Sequence, residues 1–226
     1  MTMAGQGVLA FWHDVAEGAD GEFDRWHLRE HIPERLAVPG FLRCRRYVTL
    51  AGSPRYFYFY ETESLDMLQS PAYLARLGDP TPWTRRTMPL VRNNTRTACR
   101  LVASAGAGLG GVIATLQLGP RAGHEEELRA WLTGSALPGT VEHPGIVSAH
   151  LLEGDRGVST AARGDEKKLL ATPDALVRWV VLVEGLDPAA VEGACGSLLG
   201  AEALARRGAT DDTALGFYRL QLAFGR

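Results

Sequence analysis

The chain has 226 residues and a formal net charge of −2, with 46% hydrophobic and 22% charged residues. A chain of this length buries roughly 70% of the surface that its unfolded form exposes, so it can fold without a metal or a disulfide. The slightly acidic balance argues against a protein that binds nucleic acid or anionic membranes, because such proteins usually carry a basic excess.

The first half of the chain predicts the order strand, helix, strand, strand, helix, strand, from hydrophobic periodicity and from β-branched and aromatic content. The predicted elements are a strand at 7–15, a helix at 20–31, strands at 41–50 and 55–62, a helix at 64–78 and a strand at 94–104. We expect Pro33 to end the first helix or restart it as a short turn, because proline has no N–H and its ring clashes with the preceding turn.

The second half repeats this order at a fixed distance of 105 residues. Its predicted elements are a strand at 110–118, a helix at 124–134, strands at 146–154 and 175–185, a helix at 187–208 and a strand at 216–225. The residues that recur are Trp26, Pro33, Pro39 and Gly40, which reappear as Trp131, Pro138, Pro144 and Gly145. We interpret the chain as two divergent copies of one unit.

This element order is that of the ferredoxin-like βαββαβ unit, so we expect the α+β class. The sheet of such a unit carries helices on one face, and two antiparallel sheets in one chain can cover each other's second face and enclose a barrel. We predict a first repeat at 1–104, a glycine-rich linker at 105–111 and a second repeat at 112–226. The linker is not a dinucleotide-binding motif, because it precedes a strand instead of following one.

The first predicted helix ends in a cluster of ionisable residues. His27 and His31 are four residues apart and share a helix face, with Glu30 beside it. A histidine next to a carboxylate is suited to general acid/base catalysis. The alternative is a solvated His27–Glu30 pair with His31 near the helix C-terminus, where the dipole favours it. Glu30 and His31 correspond to Ser135 and Ala136 in the second half, and this loss favours a functional role, since a scaffold feature would tend to recur.

A metal site is a second alternative for the same helix. The HxxxH spacing fits two ligands, and His13 or Asp14 at the end of the first strand could supply a third. The spacing is not the HExxH motif of zinc proteases, and we predict no metal.

Side-chain alternation predicts which residues of the second and third strands share a face. We expect the phenylalanines of the third strand to pack on the helices, and its tyrosines to line a barrel cavity with the arginines of the second strand. Such a cavity suits a planar anionic or phenolic ligand. The alternative is a surface-facing polar sheet with cross-strand Arg–Tyr pairs. The residues expected in the cavity are Trp12, Arg43, Arg45, Tyr47, Tyr58 and Tyr60, and those on the helix side are Phe57 and Phe59.

Two loops could close such a cavity. Trp83 lies in a proline-containing segment after the second helix, and we expect it either to plug the barrel mouth or to cover a pocket. The segment 153–174 replaces a tight hairpin with a long polar loop, which could be a mobile flap or a disordered insertion.

The segments WHLREHIPERLAVPGFLRCRRY, PRYFYFYE and PTPWTRR resemble the EthD-like branch of the dimeric α+β barrel superfamily. The resemblance implies a ferredoxin-like fold whose sheets pair into a barrel with a small-molecule cavity. Relatives include cofactor-free monooxygenases of phenolic polyketides, muconolactone isomerase, aldoxime dehydratases and chlorite dismutase-like heme proteins. In the heme branch the axial histidine lies in the C-terminal copy, where this chain offers His124, His143 and His150, none of them in a matching motif.

We therefore hypothesise a small-molecule enzyme without a tightly bound cofactor, acting on an aromatic or polyketide-like substrate as a lyase, isomerase/cyclase or oxygenase. Glu30 and His31 would transfer protons, while Tyr60, Arg45 and Tyr47 would orient the substrate and stabilise negative charge. His27, Arg43, Tyr58, Trp12 and Trp83 would complete the binding site. The alternatives are a non-catalytic small-molecule binding protein, a heme protein, and a structural duplication with a filled barrel.

The remaining expectations concern compartment and partners. Cys44, Cys99 and Cys195 form no CxxC motif, which predicts neither a disulfide framework nor a zinc site and fits a reducing compartment. The N-terminus lacks the features of a signal peptide, and no apolar run approaches the roughly 20 residues of a membrane helix. We expect a cytoplasmic protein that binds a small molecule, binds neither nucleic acid nor membranes, and could form a homodimer.

Overall fold

The computed structural model describes residues 3–161, 164–171 and 174–225, and its eight strands close into one antiparallel barrel. The strands are β1 Gly7–Val15, β2 Phe41–Thr49, β3 Tyr56–Thr62, β4 Val91–Gly106, β5 Val112–Leu118, β6 Ile146–Gly154, β7 Trp179–Gly185 and β8 Ala214–Gly225. The helices are α1 Asp20–Trp26, α2 Ile32–Leu36, α3 Pro71–Gly78, α4 Pro82–Thr87, α5 Glu125–Trp131, α6 Leu137–Val141, α7 Arg156–Ala161, α8 Pro188–Leu198 and α9 Ala201–Arg206.

Each half contributes a four-stranded sheet, in the orders β4-β1-β3-β2 and β8-β5-β7-β6. Pairing of β2 with β8 and of β4 with β6 joins the two sheets and closes the barrel. Full closure gives every strand two neighbours, which removes the exposed edges that would otherwise pair with other chains. The predicted α+β barrel is therefore confirmed. The glycine-rich segment begins inside β4, which continues to Gly106.

The first long helix continues through a π-helical turn where the sequence predicted a break at Pro33. The π turn His27–His31 follows α1 directly and leads into α2, and the N–H after the turn bonds to the carbonyl of His27. The wider turn accommodates a proline that has no N–H to donate and would clash with a carbonyl one regular turn earlier. A second π turn, Leu132–Ala136, precedes Pro138 in the same way.

The second helical segment of each half is divided. In the first half a 3₁₀ turn at Leu65–Gln69 precedes α3, which Ser70 caps with its hydroxyl. The helix α4 was not predicted; it begins after Thr81, whose hydroxyl accepts a hydrogen bond from the N–H of Thr84 at 3.0 Å. In the second half α8 and α9 are separated at Gly200. Among the described residues, no helix is long and apolar enough to span a membrane.

Packed side chains fill the barrel interior. Phe57 and Phe59 of β3 point into it, and the ring of Phe57 stacks on Trp12 with 4.9 Å between centroids. Tyr58 and Tyr60 lie instead on the outer face of the sheet, against the helices. The expectation that the phenylalanines face the helices and the tyrosines face the barrel is therefore wrong. Both faces of β3 are buried, so the alternation of Tyr and Phe along the strand could not show which face points into the barrel.

A buried ion network crosses the barrel from one half to the other. Nη1 of Arg45 lies 2.8 and 2.9 Å from the two carboxylate oxygens of Glu184, and its Nε lies 3.2 Å from Glu61. Arg45 also donates to the hydroxyl of Tyr47 at 3.2 Å, and His150 Nε2 lies 3.7 Å from Glu184. Arg45 and Tyr47 do face the barrel, but their polar atoms are occupied by one another and by these two glutamates.

Candidate functional site

A pocket with an aromatic lining lies outside the barrel, between the first-half sheet and its helices. Its floor is the outer face of β1, β3 and β4, and its wall is formed by α1 to α3. The second half borders it with Gly164, Glu166, Leu170 and Asp174. Its cavity volume is about 50 Å³, or about 660 Å³ when all the space between the lining atoms and the open solvent at its mouth are counted. Its aromatic lining residues are Phe11, Phe23, Trp26, Tyr58, Tyr60 and Tyr73.

The π turn places His31 in this pocket. The ring is 4% exposed and lies 4.3 Å from the ring of Trp26, centroid to centroid. Its Nδ1 atom is buried and has no hydrogen-bond partner among the described residues. Burial, with a smaller contribution from the charge of Arg35, holds the His31 pKa well below 6.5. The imidazole is therefore neutral at pH 7 and keeps an unsatisfied polar atom, which a native interior rarely tolerates without a role.

Tyr60 presents a second unsatisfied polar atom to the same pocket. Its hydroxyl is buried and has no oxygen or nitrogen partner within the described part of the chain; it lies beside the thiol of Cys44, which is a weak acceptor. Burial raises the pKa of Tyr60 well above 10, as it does for Tyr58, so both hydroxyls are protonated. Tyr58 stacks on Phe11 with 4.5 Å between ring centroids. The pocket thus offers one phenolic O–H donor and one neutral imidazole within an aromatic lining.

Two arginines that the sequence interpretation missed also line the pocket. Arg35 is 2% exposed and forms a buried ion pair with Glu166 from the long loop of the second half. Arg96 of β4 donates to the hydroxyl of Tyr73 at 3.4 Å and to the carbonyl of Ser159 at 3.2 Å. Arg35 follows His31 by four residues, and this spacing could have predicted that both side chains lie on the same face of the helix. Glu166 comes from the other half of the chain, so no local sequence pattern could have predicted its contact with Arg35.

The loop 153–174 packs on the first half where the structure describes it. It forms α7 and the 3₁₀ turn Asp165–Leu169, while residues 162–163 and 172–173 lie outside the described ranges. Ser159 of α7 accepts a hydrogen bond from Arg96 through its carbonyl and one from the N–H of Ala98 through its hydroxyl. The pocket is therefore built from both halves of the chain.

A row of buried histidines supports the pocket from the side of α1. The ring of His27 lies 5.7 Å from that of His31 and 4.6 Å from Tyr58, and its Nδ1 lies 3.2 Å from Nη1 of Arg46. Burial lowers the pKa of His27 well below 6.5, with smaller contributions from Arg46 and the other histidines, and it lowers that of His13 to about 4. His27, expected to contact ligand, is packed behind the pocket lining.

Glu30 points away from the pocket. Its carboxylate accepts hydrogen bonds from the hydroxyls of Thr81 at 2.6 Å and Thr84 at 3.2 Å. The indole N–H of Trp26 donates to the same Thr84 hydroxyl at 3.1 Å. Glu30, expected to transfer protons together with His31, does not line the pocket, because the π turn directs His31 to the sheet and Glu30 to α4. Glu30 fixes α4 against the pocket helix.

The other predicted binding residues also lie outside the pocket. Trp12 is inside the barrel, where its indole N–H donates to the hydroxyl of Thr115 at 3.1 Å. Arg43 pairs with Glu61 at 2.7 Å. Trp83 packs on α1 and donates to Glu22 at 2.7 Å, so it neither plugs the barrel nor covers the pocket.

The histidines of the second half do not offer an axial ligand to a heme in the pocket. His124 and His143 are partly exposed, and their Nδ1 atoms contact Glu127 at 3.1 Å and the Pro144 carbonyl at 3.2 Å. His150 lies in the barrel, with its Nδ1 2.8 Å from the Ser104 hydroxyl. Within residues 3–161, 164–171 and 174–225, no group of three or more His, Cys, Asp or Glu could hold a metal ion.

No family model matches the sequence, and no curated protein matches it. Solved structures with the same fold include a candidate monooxygenase from Fusobacterium nucleatum (7% identity, TM-score 0.61, covering 99% of this chain and 96% of that one). They also include an anthrone oxidase-like protein (10% identity, TM-score 0.60, 97% and 92%) and a heme-binding protein from Thermus thermophilus (13% identity, TM-score 0.52, 96% and 91%). At these identities the likeness shows a shared α+β barrel fold.

Proposed function

We propose that the chain is an enzyme that acts by acid/base chemistry on a small phenolic or enolic aromatic molecule bound in the pocket between the first-half sheet and its helices. His31 accepts a proton from the substrate, and Tyr60 donates a hydrogen bond to the substrate oxygen. The observation that carries the proposal is the presence of two buried, unsatisfied polar atoms, His31 Nδ1 and the Tyr60 hydroxyl, in the lining of one aromatic pocket.

The chemistry follows from the charge state of the two groups. A neutral histidine is a proton acceptor at pH 7, and burial makes it a weak base in the free protein. A substrate anion formed beside it would stabilise the imidazolium. The attraction between these two charges would be stronger in a site of low dielectric than in water. The protonated Tyr60 and the cation of Arg96 line the same pocket and would stabilise the developing oxyanion.

Among the three reaction types expected from the sequence, the oxygenase outcome is favoured by the names of two proteins that share the fold. These are the candidate monooxygenase and the anthrone oxidase-like protein. A carbanion or enolate made by proton transfer to His31 is a species that can react with dioxygen without a bound cofactor. We therefore propose dioxygen as the second substrate and a phenolic polyketide or a related enolisable aromatic compound as the first.

We also propose that the chain arose by tandem duplication of an EthD-like unit, with copies at 1–104 and 112–226. The two π turns, each placed just before a proline and 105 residues apart, support this origin. So does the strand order, which is the same within the two sheets: β4-β1-β3-β2 in the first half and β8-β5-β7-β6 in the second. In this proposal the first copy keeps the site and the second copy closes the barrel and supplies the loop that borders the pocket.

The substitution His31→Gln tests the proposal. We expect turnover of an active anthrone, naphthol or enolisable ketone to fall by about 100-fold or more, since a general base contributes about 10²–10⁴. The midpoint of thermal unfolding should stay nearly unchanged, because glutamine is similar in size and His31 Nδ1 makes no hydrogen bond in the described structure. Activity is measured by oxygen uptake and substrate absorbance.

His27→Gln is the matched control, because His27 is equally buried, lies on the same π turn and does not line the pocket. It should keep most of the activity. Unchanged turnover in the His31 variant would refute the assignment of the base. Saturable ligand binding without any product in the wild type would favour a binding protein.

A further inference from the structure

We propose that the pocket takes an aromatic anion, such as an aromatic carboxylate, and that Glu166 occupies the position of the ligand's anionic group on Arg35. This inference rests on the proposed function in one respect, that the pocket binds an aromatic molecule. It adds the charge of that molecule and the residue that recognises it. Both partners of the Arg35–Glu166 pair line the pocket, and they are 2% and 7% exposed.

The charged residues of the pocket have separate origins in the chain. The two arginines, Arg35 and Arg96, come from the helix wall and the sheet of the first half. The two carboxylates, Glu166 and Asp174, come from the long loop of the second half. Asp174 accepts a hydrogen bond from the side-chain amide of Asn94 at 2.6 Å. The first-half lining of the pocket is thus cationic and aromatic by itself, and the loop supplies the pocket-lining carboxylate that pairs with Arg35.

The geometry matches a ligand with a ring and an acidic group. Arg35 lies one turn beyond His31 on the continuous helix, and its guanidinium carbon lies 6.0 Å from the centroid of the Tyr73 ring. A planar guanidinium binds a carboxylate in a fixed geometry and packs beside aromatic rings. A ligand carboxylate on Arg35 would place its ring among the aromatic lining residues, near the unsatisfied Tyr60 hydroxyl and His31 Nδ1.

Arg35 does not lose all its charge compensation when Glu166 leaves. Glu34 also contacts the guanidinium, with 3.3 Å between Nη1 and Oε2, and it does not line the pocket. A buried arginine left alone would be costly, so this second carboxylate makes the exchange of Glu166 for a ligand anion feasible. Because Glu166 belongs to the same chain, it competes with the ligand at a high effective concentration and lowers the apparent affinity for anions.

Titration calorimetry with salicylate and its neutral isostere salicylamide tests the inference. In the Glu166→Gln variant we expect the affinity for salicylate to rise about tenfold or more, because the internal competitor is gone. The affinity for salicylamide should stay unchanged, since an amide does not compete for Arg35. Glu34→Gln is the matched control: it removes the other carboxylate on Arg35 without opening the ligand position, so any gain in salicylate affinity should be much smaller than the gain in Glu166→Gln.

Equal changes for both compounds, or no change for salicylate, would overturn the inference while leaving a phenol-binding pocket intact. Failure of both compounds and of uncharged naphthols to bind the wild type would refute the proposed function itself. If Glu166→Gln does not fold, hydrogen exchange on the wild type decides the matter. Salicylate, but not salicylamide, should reduce the protection of the amides in the turn Asp165–Leu169, and unchanged protection with bound salicylate would overturn the inference.

Discussion

At the scale of single residues, the site brings two buried polar atoms that lack an oxygen or nitrogen partner in the described structure, His31 Nδ1 and the Tyr60 hydroxyl, into the lining of one pocket. Other buried atoms without such a partner, among them His13 Nε2 and His27 Nε2, do not line it. The buried charges of the barrel are compensated: Arg45 contacts Glu61, Glu184 and Tyr47. The hydroxyl of Tyr60, only one strand position from Glu61, has no such partner in the described structure. A buried unsatisfied hydroxyl costs about 1–3 kcal/mol, so its retention indicates a function other than stability.

The substitution Tyr60→Phe should therefore leave the free energy of unfolding unchanged or raise it by up to about 1–3 kcal/mol, because it removes a buried group that has no oxygen or nitrogen partner in the described structure. The affinity for a phenolic ligand should fall by about tenfold, the value of one hydrogen bond of about 1.4 kcal/mol. Urea denaturation and ligand titration measure the two quantities.

Tyr56→Phe is the control on the same face of β3. The Tyr56 hydroxyl donates to Asp20 at 2.7 Å, so this variant should lose about 1.5–3 kcal/mol of stability and keep its ligand affinity. A Tyr60 variant that is destabilised as much as the Tyr56 variant, with unchanged affinity, would show that Tyr60 has a packing role alone.

At the scale of elements, the π turn determines what the first helix can do. It lets the helix pass Pro33 without a break and directs two histidine rings, 5.7 Å apart, towards the sheet. The corresponding turn of the second half carries Leu132 and Ala136 at these positions, and both pack into the core of that half. The same backbone device thus supports a polar site in one half and an apolar core in the other.

The three buried histidines His13, His27 and His31 predict an unusually early loss of stability in acid. Their folded-state pKa values lie below 6.5, to about 4 for His13. At pH values between the folded-state pKa and 6.5, the unfolded chain therefore binds more protons than the folded protein. The contribution of these histidines to the free energy of unfolding is fully present above pH 6.5 and is lost as the pH falls below it. Each group contributes a slope of about 1.4 kcal/mol per pH unit.

Urea denaturation at pH 7, 6 and 5 checks this expectation. The wild type should lose several kcal/mol across the range, and His27→Gln should lose about one third less. A free energy of unfolding that is constant between pH 7 and 5 would contradict the assignment of three neutral buried histidines.

At the scale of the whole molecule, sequence reasoning predicts the barrel but not the location of the pocket. Repeated Trp, Pro and Gly residues mark equivalent turns and helix positions, and these are local features. The inward or outward orientation of Phe57 and Tyr58 depends on closure of the second sheet over the first, which no local pattern encodes. Glu61 and Glu184 occupy equivalent positions in β3 and β7. The longer loop before β7 places them more than 105 residues apart, so the sequence repeat does not align them.

The ion network around these two glutamates couples the halves, so Glu184→Gln should destabilise the whole barrel. Removing one member of a buried charged pair costs about 3–5 kcal/mol, and Arg45 would keep only its longer contact with Glu61. Glu153→Gln, which removes a partly exposed partner of Arg129, should cost no more than about 1 kcal/mol. Urea denaturation compares the two variants, and equal losses would contradict a network that joins the halves.

The most direct test of the central claim is a crystal structure of the protein with 1-naphthol or salicylate bound. The account predicts ligand density between the outer face of β1, β3 and β4 and the helix that carries His31, with the ligand oxygen within hydrogen-bonding distance of Tyr60. Density inside the barrel among Trp12, Phe57 and Phe59, with the outer pocket empty, would contradict it.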